Sequence, residues 1–518
     1  MSFYITTPIY YVNDLPHIGH AYTTVVADVL RRYRRLFGEE TCFLTGVDEH
    51  GQKVQAAAEK RGLSPQVHCD ELSQNFRRIW EELGVEFDVF FRTTDDFHKR
   101  GVQAALQQLK DQGDIYEAQY EGWYAQADEI FYTEKDLVNG KAPTGAEVVR
   151  ITEKNYFFRM SQYQERLVKH IQENPGFIQP EFRKNEVLGF LRQPLGDLCI
   201  SRPKSRLSWG IEIPFDRDYV TYVWFDALLN YATAAGYQQA EGAARFQKLW
   251  SSPEAQVCHL LGKDILTTHA VYWPTMLMAL GVKLPTTLFA HGWWLSAGNE
   301  KMSKSKGNMV RPLDVKDLVG VEPFRFFLIR DIRLGSDAQF SVDLVVSRVN
   351  TELANNLGNL LSRTLSLVEK YFAGAVPARA AGAAPAERTQ ELMRQAEGVA
   401  DRVRDSILAW EPQQAIGHVM DLMTAANQYL AERAPWKQAK EDLPAAGETL
   451  YTALEAVRLA GILLSPVMPG KAAELLRRVG WDLPIAFEDA RGWGALQPGA
   501  KVASGDPLFP RVELPKEA

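Results

Sequence analysis

Cysteine is scarce and scattered. The four residues Cys42, Cys69, Cys199 and Cys258 lie far apart, and none forms a Cys-x-x-Cys pair. That spacing argues against a disulfide framework and a thiolate zinc site, and it predicts a protein of the reducing cytoplasm. Long apolar runs are missing as well. None approaches the roughly 20 residues that a membrane span needs, so no membrane association is expected. The first residues carry no basic stretch leading into an apolar core, and no export signal is predicted. Positive charge is not in excess: the formal net charge is −7. A nucleic-acid partner would have to be held by a local basic surface rather than by a basic protein. Core-forming residues are plentiful, with 46% of 518 residues hydrophobic, enough for more than one domain.

Two short stretches stand out. Pro16-His17-Ile18-Gly19-His20 follows an aromatic, β-branched run from Phe3 to Tyr11. It precedes Ala21 to Phe37, where Val25, Val26, Val29, Leu30, Tyr33 and Leu36 recur at helical spacing. The two histidines therefore sit at a strand-to-helix turn, where backbone N–H groups attract phosphate. Gly19 removes a side chain where a nucleotide has to come close. The second stretch, Lys301-Met302-Ser303-Lys304-Ser305, is bracketed by Gly298 and Gly307 and reads as a mobile loop whose lysines can close over a triphosphate. The basic quartet Arg31, Arg32, Arg34 and Arg35 reads mostly as a solvated face in the last turns of the first helix.

In chain order, Cys42 to Val47 reads as a second strand ending in Asp48-Glu49-His50-Gly51, a polar cluster of the kind doubly wound folds place at a strand's carboxyl end. From about Tyr116, short aromatic strand-like pieces mark a small insertion. The alternation of strand and helix then resumes. Tyr219 to Phe225 is expected as a strand, as are Val257 to Leu261 and Thr287 to Ala290, with His269 on a helix. This predicts an α/β fold, a Rossmann-like parallel sheet split by the insertion and followed by an all-α bundle. The bundle includes an amphipathic stretch from Asn350 to Tyr371 and helices over 391–410, 414–432 and 448–464. The expected boundaries are 1–115 and 219–292 for the split sheet, 116–218 for the insertion, 293–349 for the lysine loop and the region after it, and 350–518 for the bundle and its irregular tail.

The histidine and lysine signatures, in this order and this far apart, resemble the signature pair of class I aminoacyl-tRNA synthetases. The likeness covers almost the whole chain. It narrows to the bacterial methionyl-tRNA synthetases through Tyr10-Tyr11-Val12-Asn13, Thr45 to Gly51, Tyr222 to Ala227, Gly262-Lys263-Asp264-Ile265 and Ala434-Pro435-Trp436. The resemblance implies ATP, L-methionine and initiator and elongator tRNA(Met) as substrates, with Mg²⁺ accompanying the ATP. It implies His17, His20, Lys301 and Lys304 as catalytic residues, with Gly19 and Ser303 also touching ATP. It implies a methionine pocket of Ile9, Tyr11, Asp48, Trp224, Ala227, Leu228, Tyr231, Ile265 and His269, Asp48 holding the ammonium group. Asn359, Arg363 and Trp436 would read the anticodon.

Zinc-bearing relatives carry a cysteine knuckle where this chain has Gly122-Trp123-Tyr124, with Ala125 and Asp128 at the ligand positions. A metal-free insertion is therefore expected. A cysteine-specific synthetase shares both signatures but needs thiolate and histidine ligands that are missing here. The larger branched-chain enzymes carry longer insertions, and the intact signatures speak against a non-catalytic paralogue. The chain stops after the bundle, from which a monomer is expected.

Overall fold

The computed structural model describes residues 1–13, 15–125, 130–132, 134–296, 298, 300, 302, 310–378 and 385–514. The chain forms two compact units. The first comprises Met1–Pro16, Thr41–Trp80 and Glu86–His291; the second comprises His17–Glu40, Glu81–Val85 and Gly292–Ala518.

The first unit is built on a six-stranded sheet. Its strands are β1 (Ser2–Tyr11), β2 (Glu40–Asp48), β3 (Val89–Arg92), β4 (Ile178–Gln179), β5 (Ala255–Gly262) and β6 (Thr287–His291), in the spatial order β3-β2-β1-β5-β6-β4. β1 pairs in parallel with β5, β5 with β6, β6 with β4 and β2 with β3. β1 is buried almost throughout, as expected of a central strand covered on both faces. The chain leaves β1 toward β2 and β3 on one side and returns through β5 and β6 on the other. The carboxyl ends of β1 and β5 therefore flank a topological switch point, where open parallel sheets bind ligands.

The insertion is a separate antiparallel sheet. Ile115–Ala125 pairs along its whole length with Val148–Phe158. One expectation is overturned. Tyr219 to Phe225 is not a strand of the parallel sheet. Asp216–Thr221 is a strand of a small antiparallel sheet with Ser201–Pro203 and Glu212–Ile213, and a helix begins at Val223. Aromatic and β-branched residues led the pattern toward strand, but here they serve a helix buried nearly all round, so burial overrides propensity.

The second unit is mainly helical. It contains α1 (Ile18–Leu36); its helical bundle includes Asn359–Phe372, Pro412–Arg433 and Leu443–Leu464. The expected helix over 391–410 is two, Glu387–Ala396 and Val399–Leu408, because Gly398 takes a left-handed φ of 68°. The arginine quartet also departs from expectation. Asp28, fully buried on α1, accepts Arg32 Nε at 2.9 Å and Arg325 Nη2 at 2.6 Å, and Arg31 beside it is 1% exposed. An inward carboxylate one turn upstream draws these arginines in. Only Arg35 of the four is exposed. The irregular tail is packed within the same unit: Leu496, Leu508 and Phe509 are buried, and Tyr451 donates to the Leu496 carbonyl at 2.9 Å. Among the described residues no helix is long and apolar enough to cross a membrane.

Candidate active site

The expected methionine-pocket residues all lie in the first unit. Ile9 and Tyr11 end β1, Asp48 ends β2, and Ile265 sits on the turn Lys263–Ile265 that directly follows β5. His269 follows on a wide helical turn, Thr268–Tyr272, that continues into Trp273–Leu280. Trp224, Ala227, Leu228 and Tyr231 come from α2 (Val223–Ala235). Every residue of α2 except Trp224 is buried, and Gly236 closes the helix at φ 112°. A half-exposed tryptophan on an otherwise buried helix is a wall with an open side.

Hydrogen bonds fix the deep end of this wall. His269 Nδ1–H donates to the Ile265 carbonyl at 2.9 Å, which leaves Nε2 as the acceptor for the Tyr231 hydroxyl at 2.7 Å. Burial pushes His269 down to about 4, so the imidazole is neutral at neutral pH. The Tyr231 hydroxyl is pushed far above its ordinary range by burial, and the Asp48 carboxylate adds to the effect. The Tyr231 ring stacks on His259, with centroids 4.2 Å apart. His259 receives Trp273 Nε1–H at Nε2 (3.2 Å), and its Nδ1–H reaches the Thr6 hydroxyl at 2.8 Å. Burial, then the neighbouring His269, hold His259 well below the usual histidine range. Tyr231, His269, His259, Thr6 and Trp273 thus form a buried, largely aromatic layer whose polar side-chain atoms are paired with one another or with the Ile265 carbonyl.

Of the residues implied for ATP binding, His17, Gly19 and His20 lie in the second unit. His17 caps α1, and Gly19 N–H donates to its Nδ1 at 3.0 Å. His17 N–H donates to His20 Nδ1 at 3.4 Å, a reciprocal capping arrangement. The two rings stack with centroids 3.8 Å apart. Because both Nδ1 atoms accept backbone protons, both imidazoles carry their own proton on Nε2. Burial, and then His17, hold His20 well below the usual histidine range, which keeps it neutral. A Cβ on Gly19 would stand 2.9 Å from His17 Cε1, so a side chain there would push on the capping ring. The first N–H of α1, on Ile18, donates to the Val310 carbonyl at 3.2 Å, which brings the chain just beyond the lysine loop to the histidine helix. Lys301, Ser303 and Lys304 lie outside the described residues.

The anticodon candidates lie on the helical bundle of the same unit, where Arg363 and Trp436 meet. Asn359 is exposed at the start of Asn359–Phe372, and the Arg363 guanidinium lies 5.7 Å from the Trp436 ring centroid. Trp436 is half-buried on Pro435–Glu441, which follows a left-handed Ala434. It is not part of the fully buried core.

Several residues escaped the sequence reading. Arg202 is buried with its guanidinium 4.4 Å from the Tyr222 ring centroid. His50 and Asp226 form a buried pair at 2.7 Å. Thr6, His259 and Trp273 form the layer behind Tyr231. No spacing rule links residues so far apart in sequence, although His50 and Asp226 each stand inside stretches that carried the resemblance. Among the described residues no group of three or more His, Cys, Asp or Glu could hold a metal ion, and Asp128 is not among those described.

Comparison with known proteins bears on this geometry. Residues 3–149 and 136–365 match the family "tRNA synthetases class I (M)", and residues 376–517 match "Anticodon binding domain of methionyl tRNA ligase". The chain belongs to the class I aminoacyl-tRNA synthetases. It is 43% identical over 519 residues to the methionine–tRNA ligase of Caldanaerobacter subterraneus, covering 100% of this chain and 80% of that protein. The methionine–tRNA ligase of Thermotoga maritima is 40% identical, with 99% and 81% covered. Mycobacterium tuberculosis methionyl-tRNA synthetase in complex with methionyl-adenylate superposes with a TM-score of 0.92 at 39% identity, over 98% of this chain and 100% of that one. Within its class, this chain is a member of the methionine–tRNA ligase family.

Proposed function

We infer that the chain activates L-methionine with ATP and transfers it to tRNA(Met), with the residues in the following roles. A methionine carboxylate oxygen attacks the α-phosphorus and pyrophosphate leaves. A ribose hydroxyl at the 3′ end of the tRNA then attacks the adenylate carbonyl and AMP leaves. The first transition state gathers negative charge on phosphate oxygens, which positioned donors stabilise. His17 and His20, neutral and aimed by their caps, offer Nε2–H groups for this purpose, and Gly19 allows the nucleotide to approach. Lys304 neutralises the leaving pyrophosphate, Lys301 and Ser303 also bind the ATP, and magnesium enters with the substrate as MgATP.

The amino acid sits with its ammonium group on Asp48 and its thioether in the slot of Tyr11, Trp224, Ala227, Leu228, Tyr231, Ile265 and His269, beside the Ile9 backbone. Asn359, Arg363 and Trp436 take the anticodon, an unpaired base stacking on the tryptophan. The insertion is read as zinc-free, which elemental analysis of the purified protein tests.

One observation supports the choice of methionine most directly: the Tyr231–His269–Ile265 chain, which leaves the slot aromatic and without a strong acceptor or charge at its end. ATP–pyrophosphate exchange across the twenty amino acids is the test. Methionine should support exchange by orders of magnitude over the other nineteen. Exchange driven equally by leucine or cysteine, or by none, would overturn the reading.

A further inference from the structure

A buried histidine–aspartate hydrogen bond stands beside the expected pocket residues. His50 Nδ1–H donates to Asp226 Oδ2 at 2.7 Å, with the residues 3% and 0% exposed. His50 follows Asp48 by two residues on the segment leaving β2. Asp226 lies in the first turn of α2, between Trp224 and Ala227. The bond therefore joins the end of the pocket that carries the ammonium anchor to the helix that carries the thioether wall.

His50 is held from behind. The His50 ring meets the edge of Trp209, centroids 5.6 Å apart. Trp209 in turn donates Nε1–H to the Glu49 carbonyl and accepts Gly51 N–H at 3.4 Å. The far half of α2 is fastened independently. His98 Nδ1–H reaches the Thr233 hydroxyl at 2.8 Å, a Cβ on Gly101 would lie 2.8 Å from Thr233 Cγ2, and Tyr4 donates to the Tyr231 carbonyl at 3.0 Å. The entry to the first turn of α2 is tied through the backbone, Tyr222 N–H donating to the Ile200 carbonyl at 2.8 Å, and His50 adds a side-chain tie at Asp226 itself. A buried polar pair adds little net stability over apolar packing, so its value here is geometric.

We propose that His50 and Asp226 are positioning residues that set the span between Asp48 and the Trp224–Ala227 wall, and so select the amino acid by side-chain length. This rests on the pocket assignment made above. With the pair removed, Asp48 and the wall shift independently, methionine binds less well, and shorter or longer side chains are penalised less.

Four variants in the exchange assay test this, with methionine, homocysteine and ethionine as substrates. His50→Ala should raise the methionine KM about tenfold or more, as expected for loss of a charged hydrogen bond, while leaving the ATP KM within about twofold. It should narrow the methionine preference over homocysteine and ethionine. The Nδ2 of Asn lies where His Nδ1 lies, so His50→Asn should recover most of the methionine KM. Asp226→Asn, which keeps shape and an acceptor, should shift it in the same direction as His50→Ala but less, and it serves if His50→Ala does not fold. An unchanged methionine KM, or methionine and ATP KM rising together without rescue by Asn, overturns the proposal. A Trp224→Ala variant with unchanged methionine KM overturns the pocket assignment and the proposal with it. A raised KM in Trp224→Ala beside an unchanged one in His50→Ala overturns the proposal alone.

Discussion

Replacing Tyr231 with Phe tests the pocket chemistry at a single atom. The hydroxyl donates to His269 Nε2 at 2.7 Å, and the other imidazole nitrogen stays committed to the Ile265 carbonyl. Without the hydroxyl, Nε2 becomes an acceptor in a site where Tyr231 and His269 are each about 2% exposed. In the free enzyme a water molecule can enter the slot and donate to it. With methionine bound, that water is displaced, and a thioether has no proton to give. The cost falls on the complex and amounts to about 1–3 kcal/mol, the price of an unsatisfied buried acceptor, or roughly 5- to 150-fold in methionine KM. The kcat for exchange should change little, because Tyr231 is assigned no contact with phosphate. Homocysteine carries a thiol, a weak donor that can reach the bare nitrogen, so its KM should rise less than that of methionine. Steady-state exchange kinetics with both substrates give the answer. A loss of kcat at constant KM, or an equal rise for thioether and thiol, would refute the reasoning.

The sheet and its switch point were legible because β1, β2, β5 and β6 are continuous apolar runs that each end in a polar or aromatic cluster. The strand-to-helix turn at His17 and His20 was legible from the apolar runs on either side of it, whereas the reciprocal capping by the two imidazoles was not. Where the reading failed, local pattern and tertiary context disagreed. Val223 to Phe225 has strand composition, yet α2 is buried on nearly every side, and a helix without a solvent face shows no 3.6-residue periodicity to read. Arg31 and Arg32 look solvated because Asp28, their partner, is itself indistinguishable from a surface carboxylate until Arg325 arrives from 297 residues away. The layer behind the pocket was invisible for the same reason. Thr6, His259 and Trp273 meet through strand pairing and helix return, and nothing in their separate neighbourhoods marks them.

Three further outcomes follow. Lys304→Gln should lower the rate of adenylate formation far more than methionine affinity, measured by single-turnover exchange; an unchanged rate would remove Lys304 from the chemistry. Trp436→Ala should damage tRNA charging while sparing exchange, and equal damage to both would make the ring structural. The third concerns acid. Burial pushes His98 to about 3 and His269 to about 4, both below the ordinary histidine value. A depressed histidine stabilises the fold fully above its unfolded value near 6.5, and that contribution is lost as pH falls toward the folded value. At pH 5 the unfolded chain has bound both protons and the folded chain has bound almost neither. Each site then contributes a loss of about 2 kcal/mol relative to pH 8, about 4 kcal/mol together, an order-of-magnitude figure from linkage. The urea midpoint followed by tryptophan fluorescence should therefore fall steeply between pH 7 and 5. In His98→Asn, which cannot titrate there, the slope should drop by the share of one site, even if the variant is less stable at every pH. Parallel curves for the two proteins would mean that the protons enter elsewhere.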